Sequence, residues 1–554
     1  MRTWQGLADI WLKPGATLQY YPLTHTSWWV QYHLWGLAPL GYHLVNVLLH
    51  GVSAGVLWLV LRRLRVPGAW MAAAVFALHP VHVESVAWVT ELKNVQSGLF
   101  YLLALLAALA AADESRPRAG RGARYALTLG LFVCALLSKT VTGTLPAVIA
   151  LVLWWQRGRI GWRELAALVP FGVLGLAAGA LTAWMEMRYV GASGAAWALS
   201  PAARVLVAGR ALWFYAAKLV WPTDLAFVYP RWTIDPGVWW QWLFPFGACV
   251  AVGLLVIGRR RLGRGPLVAV LYFAGTLVPA LGFFDLYPMR YTFVADHFQY
   301  LASIGPIGLL VAVAAVPLAR RPRALRPLAG TLLVVLGVLV WRQAEIYRSA
   351  ETLWRDTLAR NPSAWIAHNN LGLVLMGEGK LGEAGEHIRE ALRLARNLWE
   401  VHNNLGRVLL QEGRLAEAGE QFRKALRLAR DPSVKKASVA LVHNNLGLVL
   451  FDEGRLTEAG EHFQEAVRLW PEYPDALYNL GNVLAMQGKP AEAEADFEQV
   501  LRLDELHAAA HNSLGNVLVM QGRREEGIRH YRRALELSPD YADARRNLDL
   551  VGAQ

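Results

Sequence analysis

The chain has 554 residues, 55% of them hydrophobic and 18% charged, with a net charge of +13 and a mean hydropathy of +0.28. That balance excludes both an intrinsically disordered chain and an all-soluble string of domains. The charge is also uneven: residues 1–340 hold 28 Lys and Arg against 11 Asp and Glu, whereas residues 341–554 hold 27 against 31.

Residues 1–39 contain neither an apolar stretch of spanning length nor a signal peptide, and read as the remnant of a first extracytoplasmic loop whose upstream helix lies outside this sequence. A spanning helix needs about 20 mostly apolar residues. Apolar runs follow at 40–61, 66–80, 94–112, 125–138, 141–156, 165–185, 204–221, 238–258, 266–284, 300–319 and 327–342, which makes 40–342 a multi-pass transmembrane domain. The two cysteines, Cys134 and Cys249, lie inside such runs, so no disulfide framework is expected.

A basic chain invites a nucleic-acid reading, but the arginines argue against it. Eighteen of the 28 basic residues fall in five clusters, at Arg62/Arg63/Arg65, Arg116/Arg118/Arg121/Arg124, Arg157/Arg159/Arg163, Arg259/Arg260/Arg261/Arg264 and Arg320/Arg321/Arg323/Arg326. Each caps an apolar run, which is the positive-inside pattern of a protein lying in a lipid bilayer; no nucleic-acid partner is expected. With the clusters cytoplasmic, His79–Lys93, 186–203 and 285–297 fall outside. A spanning 204–221 would put the 259–264 cluster on the wrong side, so this segment reads as re-entrant or interfacial, with Arg204, Arg210 and Lys218 at helical spacing. The chain then leaves the membrane on the outer face, as expected for a cell (inner) membrane protein with an extracytoplasmic domain at 343–554.

That domain repeats itself. NNLGLVL, NNLGRVL, NNLGLVL, YNLGNVL and NSLGNVL place glycines at 372, 406, 447, 481 and 515, with spacings of 34, 41, 34 and 34. A 34-residue period with Leu-Gly on the first helix is the tetratricopeptide signature. Small residues Ala384, Ala418, Ala459, Ala493 and Gly527 follow on the second helix, with Ile388, Phe422, Phe463, Phe497 and Tyr531 four positions later. The longer spacing holds a seven-residue insertion around Asp431–Val439; Tyr347–Arg360 reads as a leading half-repeat and Ala544–Val551 as a capping helix. The fold class is therefore all-α, a polytopic transmembrane helical bundle followed by an α-solenoid. Asn370, Asn404, Asn445 and Asn479 form a ladder with two readings: they hold a protein or peptide ligand by its backbone in the groove, or they tie neighbouring helices together. His368, His402, His443 and His511, one repeat apart, are too far from one another to share a metal and read as packing residues.

Chemistry is expected at the outer membrane face, because no phosphate loop, HExxH or CxxC occurs. HPVHVESVAWVTELKN interrupts an apolar region with His79, His82, Glu84, Glu91 and Lys93; ionisable groups at membrane depth mark function, the alternative being a polar loop with Glu–Lys pairing. Tyr20, Tyr21, His25 and His33 precede the first span. His43, Asn46 and His50 stand at i, i+3 and i+7 within it, so this polar stripe should face the bundle interior. DLYPMRYTFVADHFQY adds Asp285, Arg290, Asp296 and His297, with Arg290 suited to a phosphate or to snorkelling.

PLGYHLVNVLLH at Pro39, HPVHVESVAW at His79 and VADHFQYLAS at Val294 resemble the transmembrane and tetratricopeptide-repeat O-mannosyltransferase family, a branch of the C-type glycosyltransferases, and its bacterial relatives in particular. The order of parts matches along almost the whole chain. The resemblance implies transfer of a sugar, mannose for example, from a polyprenyl-phosphate-linked donor to an extracytoplasmic acceptor such as a protein Ser or Thr. It implies an inverting displacement, assisted by acid/base groups or by a divalent cation, with no cofactor otherwise expected. By position, His79, His82 and Glu84 fall on the family's catalytic His-Pro…Glu stretch. Lys93 falls on its terminal basic residue, and Asp296 and His297 on an acid followed by Arg, so His297 departs; with Arg290 these are the expected donor-phosphate groups. The family's acidic pair lies in a first loop that this chain does not match, Asp9 being a lone acid. The competing reading is a non-catalytic, membrane-anchored repeat scaffold for an envelope or secretion complex; a transporter is disfavoured because no pair of Gly/Pro-broken spans marks a midplane site.

Overall fold

The computed structural model describes residues 3–113, 119–191, 197–318, 320, 322–431 and 434–552. Arg116, Arg118 and Arg321 of the arginine clusters, 192–196 of the expected outer loop and 432–433 of the inter-repeat insertion lie outside them. The described chain is helical, with no strand among the described residues, and divides into two compact units, Met1–Ala364 and Trp365–Gln554.

In the first unit α1 (Trp4–Leu12) and α2 (Pro22–Trp35) precede the apolar helices α3 (Pro39–Arg63), α4 (Ala69–Ala77), α5 (Val83–Ala87) and α6 (Leu92–Ala111). There follow α7 (Arg121–Ser138), α8 (Leu145–Arg157), α9 (Trp162–Met185), α10 (Pro201–Val220), α11 (Leu243–Leu262), α12 (Gly265–Leu277), α13 (Ile304–Leu318), α14 (Pro322–Glu345) and α15 (Ala350–Arg360). Among the described residues, five helical stretches are long and apolar enough to cross a membrane: Pro39–Arg63, Val89–Ala111, Trp162–Val190, Trp239–Leu262 and Arg326–Arg348. Other apolar runs form shorter helices. The run at 66–80 yields only the nine residues of α4, because Pro80 disfavours helical geometry at the preceding residue, and His79 is extended (φ −80°, ψ 125°). α8 stops after 13 residues at Gly158, in the left-handed region at φ +77°.

The interruption after α4 leaves backbone groups without helical partners, each costing several kcal/mol in an apolar medium (about 1–3 by protein mutational data). Side chains supply them. His82 Nδ1 lies 2.7 Å from the Phe76 carbonyl oxygen and His50 Nε2 lies 3.2 Å from that of Ala77. Asn46 Nδ2 donates to the carbonyls of Val86 (3.2 Å) and Trp88 (3.4 Å). The polar stripe of α3 thus faces inward, with Asn46 and His50 both buried.

The arginine clusters gather at one end of this unit. Arg63 pairs with Asp113 at 2.6 Å, just past α6, Arg157 donates to the Ala112 carbonyl, and the Arg264 guanidinium packs against Gly158. In α10, Leu206, Val207, Ala211, Tyr215 and Leu219 are buried, while Val205, Trp213 and Val220 are exposed. Its cations are held by protein, Arg204 by Asp285 (2.8 Å), Arg210 over the Trp232 ring (4.5 Å) and Lys218 by the carbonyls of Thr223 and Asp224. The expected half-repeat, α15, belongs to this unit, where Trp354 meets Phe227 edge-on and Asn361 donates to the Val228 carbonyl at 3.2 Å.

The second unit is five helix pairs: α16 (Trp365–Gly377) with α17 (Leu381–Leu394), α18 (Trp399–Gln411) with α19 (Leu415–Leu428), α20 (Lys436–Asp452) with α21 (Leu456–Leu469), α22 (Pro474–Met486) with α23 (Pro490–Leu503), and α24 (Ala508–Met520) with α25 (Arg524–Leu537), capped by α26 (Ala542–Gly552). The repeat spacing has a steric cause. A Cβ built on Gly406, Gly447 or Gly481 would lie 2.6–2.8 Å from the ring of Phe422, Phe463 or Phe497, and those rings are fully buried. Only glycine lets the two helices of a pair close on the aromatic ring between them.

Candidate functional site

In the first unit the 79–94 segment and the 294–300 segment come together. The second is anchored by α10, where the Ala295 N–H donates to the Tyr215 hydroxyl at 3.2 Å. That anchor sets His297 against Glu84. One carboxylate oxygen accepts the His297 backbone N–H at 2.9 Å and the other lies 2.8 Å from His297 Nδ1. Both residues are buried. A carboxylate only accepts, so Nδ1 carries the proton and Nε2 is left as the basic nitrogen.

Asp296, next in the chain, accepts from the Tyr229 hydroxyl at 3.0 Å from each of its oxygens. Burial first, and then the charge of Glu84, pushes its carboxyl well above the usual carboxylate range.

A second cluster adjoins the first through Asn94. Its side-chain amide donates to the His297 carbonyl (2.9 Å) and to Ser85 Oγ (3.1 Å), while its oxygen accepts from Lys139 Nζ at 2.6 Å. Lys139 also pairs with Glu91 at 3.3 Å, and Glu91 pairs with Lys93 at 2.9 Å. Two lysines thus share one buried carboxylate, leaving net positive charge beside the Glu84–His297 pair, an arrangement fitted to an anionic group such as a phosphate.

The other expected residues are placed differently. His79 Nε2 lies 3.0 Å from the Leu219 carbonyl, and its Nδ1 accepts the Val81 N–H at 3.4 Å. His82 is held between the Phe76 carbonyl and Ser303 Oγ (3.0 Å). Both rings are engaged in holding the broken backbone. Arg290 lies on the turn Tyr287–Arg290, its guanidinium 5.9 Å from the Tyr291 ring centre. Lys139, Asn94, Ser85 and Tyr229 escaped the sequence reading. One signal was present: only four of the 28 basic residues before 341 are lysines, Lys13, Lys93, Lys139 and Lys218, and all four stand outside the arginine clusters. Among the described residues no three His, Cys, Asp or Glu side chains converge on one point.

In the second unit the asparagines bond from repeat to repeat. Asn404 donates to Asn369 (2.9 Å), Asn445 to Asn403 (2.8 Å) and Asn479 to Asn444 (2.9 Å), while Asn370 accepts from Asn369 at 3.2 Å. The ladder ties helices together, yet Asn445 and Asn479 also line a cavity of about 490 Å³ with Arg407, Tyr473, Asp475 and Tyr478. The repeat histidines pair across the two helices of a repeat, His368 with His387, His443 with His462 and His511 with His530, at Nδ1–Nδ1 distances of 2.9–3.0 Å; His402 pairs with Gln421.

Fold and site together define an all-helical, repeat-bearing chain with membrane-length helices and a buried ionic cluster. The sequence pattern of the tetratricopeptide repeat matches residues 363–431 and 438–505, and a second form of it matches 478–542. Among curated proteins, the chain is 42% identical over 94 residues to "Protein O-mannosyl-transferase tmtc2" of Xenopus laevis, covering 17% of this chain and 11% of that protein. It is 40% identical over 104 residues to "Protein O-mannosyl-transferase Tmtc1" of Drosophila melanogaster, covering 18% and 12%. Against "Protein O-mannosyl-transferase F38B6.6" of Caenorhabditis elegans it is 24% identical over 390 residues, covering 68% of this chain and 54% of that one. The chain thus spans about a tenth of the first two relatives' length and about half of the third. It is a tetratricopeptide-repeat-containing relative of these proteins. Among solved structures, "YrrB: a TPR protein with an unusual peptide-binding site" is 25% identical, covering 36% of this chain and 98% of that one with a TM-score of 0.29.

Proposed function

We propose that this chain is a multi-pass membrane glycosyltransferase, moving a sugar such as mannose from a polyprenyl-phosphate carrier to the hydroxyl of an extracytoplasmic acceptor, a protein Ser or Thr among the candidates. The Glu84–His297 pair carries the reading. His297 Nε2 takes the acceptor's proton, and Glu84 orients the ring and balances the imidazolium that forms. The acceptor oxygen bonds to the anomeric carbon while the bond from that carbon to the phosphate oxygen breaks. The electron pair leaves on the phosphate, with inversion. Lys139 and Lys93 balance the charge of the departing phosphate, with Arg290 as a further cation on the same loop as His297. His79 and His82 serve as positioning residues that keep Glu84 in place. The repeats hold the acceptor protein or peptide, their cavity at Asn445 and Asn479 supporting that role. Arginine clusters gathered at one end of the first unit support a cytoplasmic assignment for that end and an outer one for the site and the repeats.

Mass spectrometry of envelope proteins from cells with and without the chain tests the proposal, the expected result being loss of a hexose from Ser or Thr. His297→Ala should abolish transfer in reconstituted membranes and Glu84→Gln should lower it by about 10²–10⁴-fold. Unchanged glycosylation in all three comparisons refutes the enzyme. It would favour the second reading, a membrane-anchored repeat scaffold, which the ladder of repeat contacts also supports.

A further inference from the structure

The first unit contains a second cavity, of about 460 Å³, between α3, α6, α8, α12 and α13. Leu57, Leu61, Leu105, Val152, Val268 and Val313 form its apolar walls. It stands well away from Glu84. Asn46 on α3 bonds the 79–94 segment, and the cavity begins at Leu57, three turns or about 16 Å further along the same helix. Two glycines of α13 lie on this side, one closing it on α12 and the other leaving room. At Gly305 a Cβ would run into the Ala269 carbonyl, whereas at Gly308 nothing lies nearer than the Leu61 side chain at 4.0 Å.

One cation stands at the rim. Arg65 lines the cavity, is exposed, and holds the left-handed backbone (φ +57°) that closes α3 through the Val66 N–H to Leu61 carbonyl bond of 3.0 Å. Glycine is the usual occupant of that position, so an arginine there is retained against a backbone preference. Arg264 precedes the rim residue Gly265, its guanidinium 5.6 Å from the Trp154 ring centre. An apolar slot with Arg65 on its rim and Arg264 next to a rim residue in the chain matches a lipid with one tail inside and an anionic phosphate outside.

We propose that this cavity is a binding site for an anionic phospholipid of the bilayer, one acyl tail lying along Leu61 and Gly308 and the phosphodiester meeting Arg65 and Arg264. The site is separate from sugar transfer and rests only on the chain being embedded in a bilayer. The test uses the full chain, purified in nonionic detergent, stripped of lipid and given phosphatidylglycerol or phosphatidylcholine of the same tails, with retained lipid counted by native mass spectrometry. The wild-type chain should retain one phosphatidylglycerol in preference to phosphatidylcholine. Arg65→Gly, which suits the left-handed backbone, should keep tail binding and lose about fivefold of that preference. Gly308→Leu, which fills the slot, should lose both lipids while its helical circular dichroism and elution volume match the wild type. Should it misfold, Ala312→Leu on the same wall serves instead. Equal retention of both lipids by the wild type, undiminished preference in Arg65→Gly, or retention only of a polyprenyl phosphate overturns the proposal. No sugar enters the readout, so this site and the transferase stand or fall separately.

Discussion

Glu91 is the hub of the ionic cluster, and its removal should cost more than removal of either lysine. Its side chain is 1% exposed, against 13% for Lys139 and 19% for Lys93. Glu91→Gln strands two cations at once, and breaking a buried pair from one side typically costs about 3–5 kcal/mol. Lys139→Met leaves Glu91 with Lys93 at 2.9 Å. It forfeits the charge-assisted bonds to Asn94 at 2.6 Å and to Glu91 at 3.3 Å but strands no charge, a loss of about 1.5–3 kcal/mol for the shorter bond. The double variant strands only Lys93, so its cost should fall below the sum of the singles by about 1–3 kcal/mol. Thermal unfolding of the detergent-purified protein, followed by tryptophan fluorescence, gives the four corners of the cycle. An additive cycle, or a Lys139→Met as unstable as Glu91→Gln, would refute the shared-carboxylate account.

Two further outcomes concern the repeats. Gly447→Val places branched carbon on a Cβ only 2.6 Å from the buried Phe463 ring and should cost about 1–3 kcal/mol, whereas Gly382→Ala, with nothing within 4 Å, should be neutral or mildly stabilising; circular dichroism melts that fail to separate the two would contradict the packing argument. His443 is pushed down to about 4, by burial and then by the adjacent His462. An unfolded histidine titrates near 6.5, so between pH 6.5 and 4 the unfolded chain binds the extra proton. Repeat stability should then be complete above pH 6.5 and fall as the pH drops toward 4. His443→Gln with His462→Gln should flatten that slope in melts run from pH 7.5 to 4.5, and an unchanged slope would exclude the pair as its source.

Legibility of the site followed the range of the interactions. Glu84, Lys93, Asp296 and His297 stood out because charge inside an apolar run is costly wherever the run ends up. The role of Glu84 did not, since its partner lies 213 positions away and nothing local to either residue specifies the other. Lys139 closes the cluster from 48 positions beyond Glu91. His82 and His50 close the carbonyls of a helix that Pro80 stops, a need that exists only once the chain has folded back.

The repeats were readable almost to the residue, because each tetratricopeptide unit is held by contacts some sixteen positions apart, as between Gly447 and Phe463, and recurs five times. Apolar length likewise marked the stretches that form the five membrane-length helices, although other apolar runs fold as shorter ones. Which carboxylate faces which cation, and the slot beside Gly308, were decided by tertiary structure alone. Those features depend on side chains far apart in sequence meeting in a medium where an unpaired polar group is costly, and a linear pattern carries no record of that meeting.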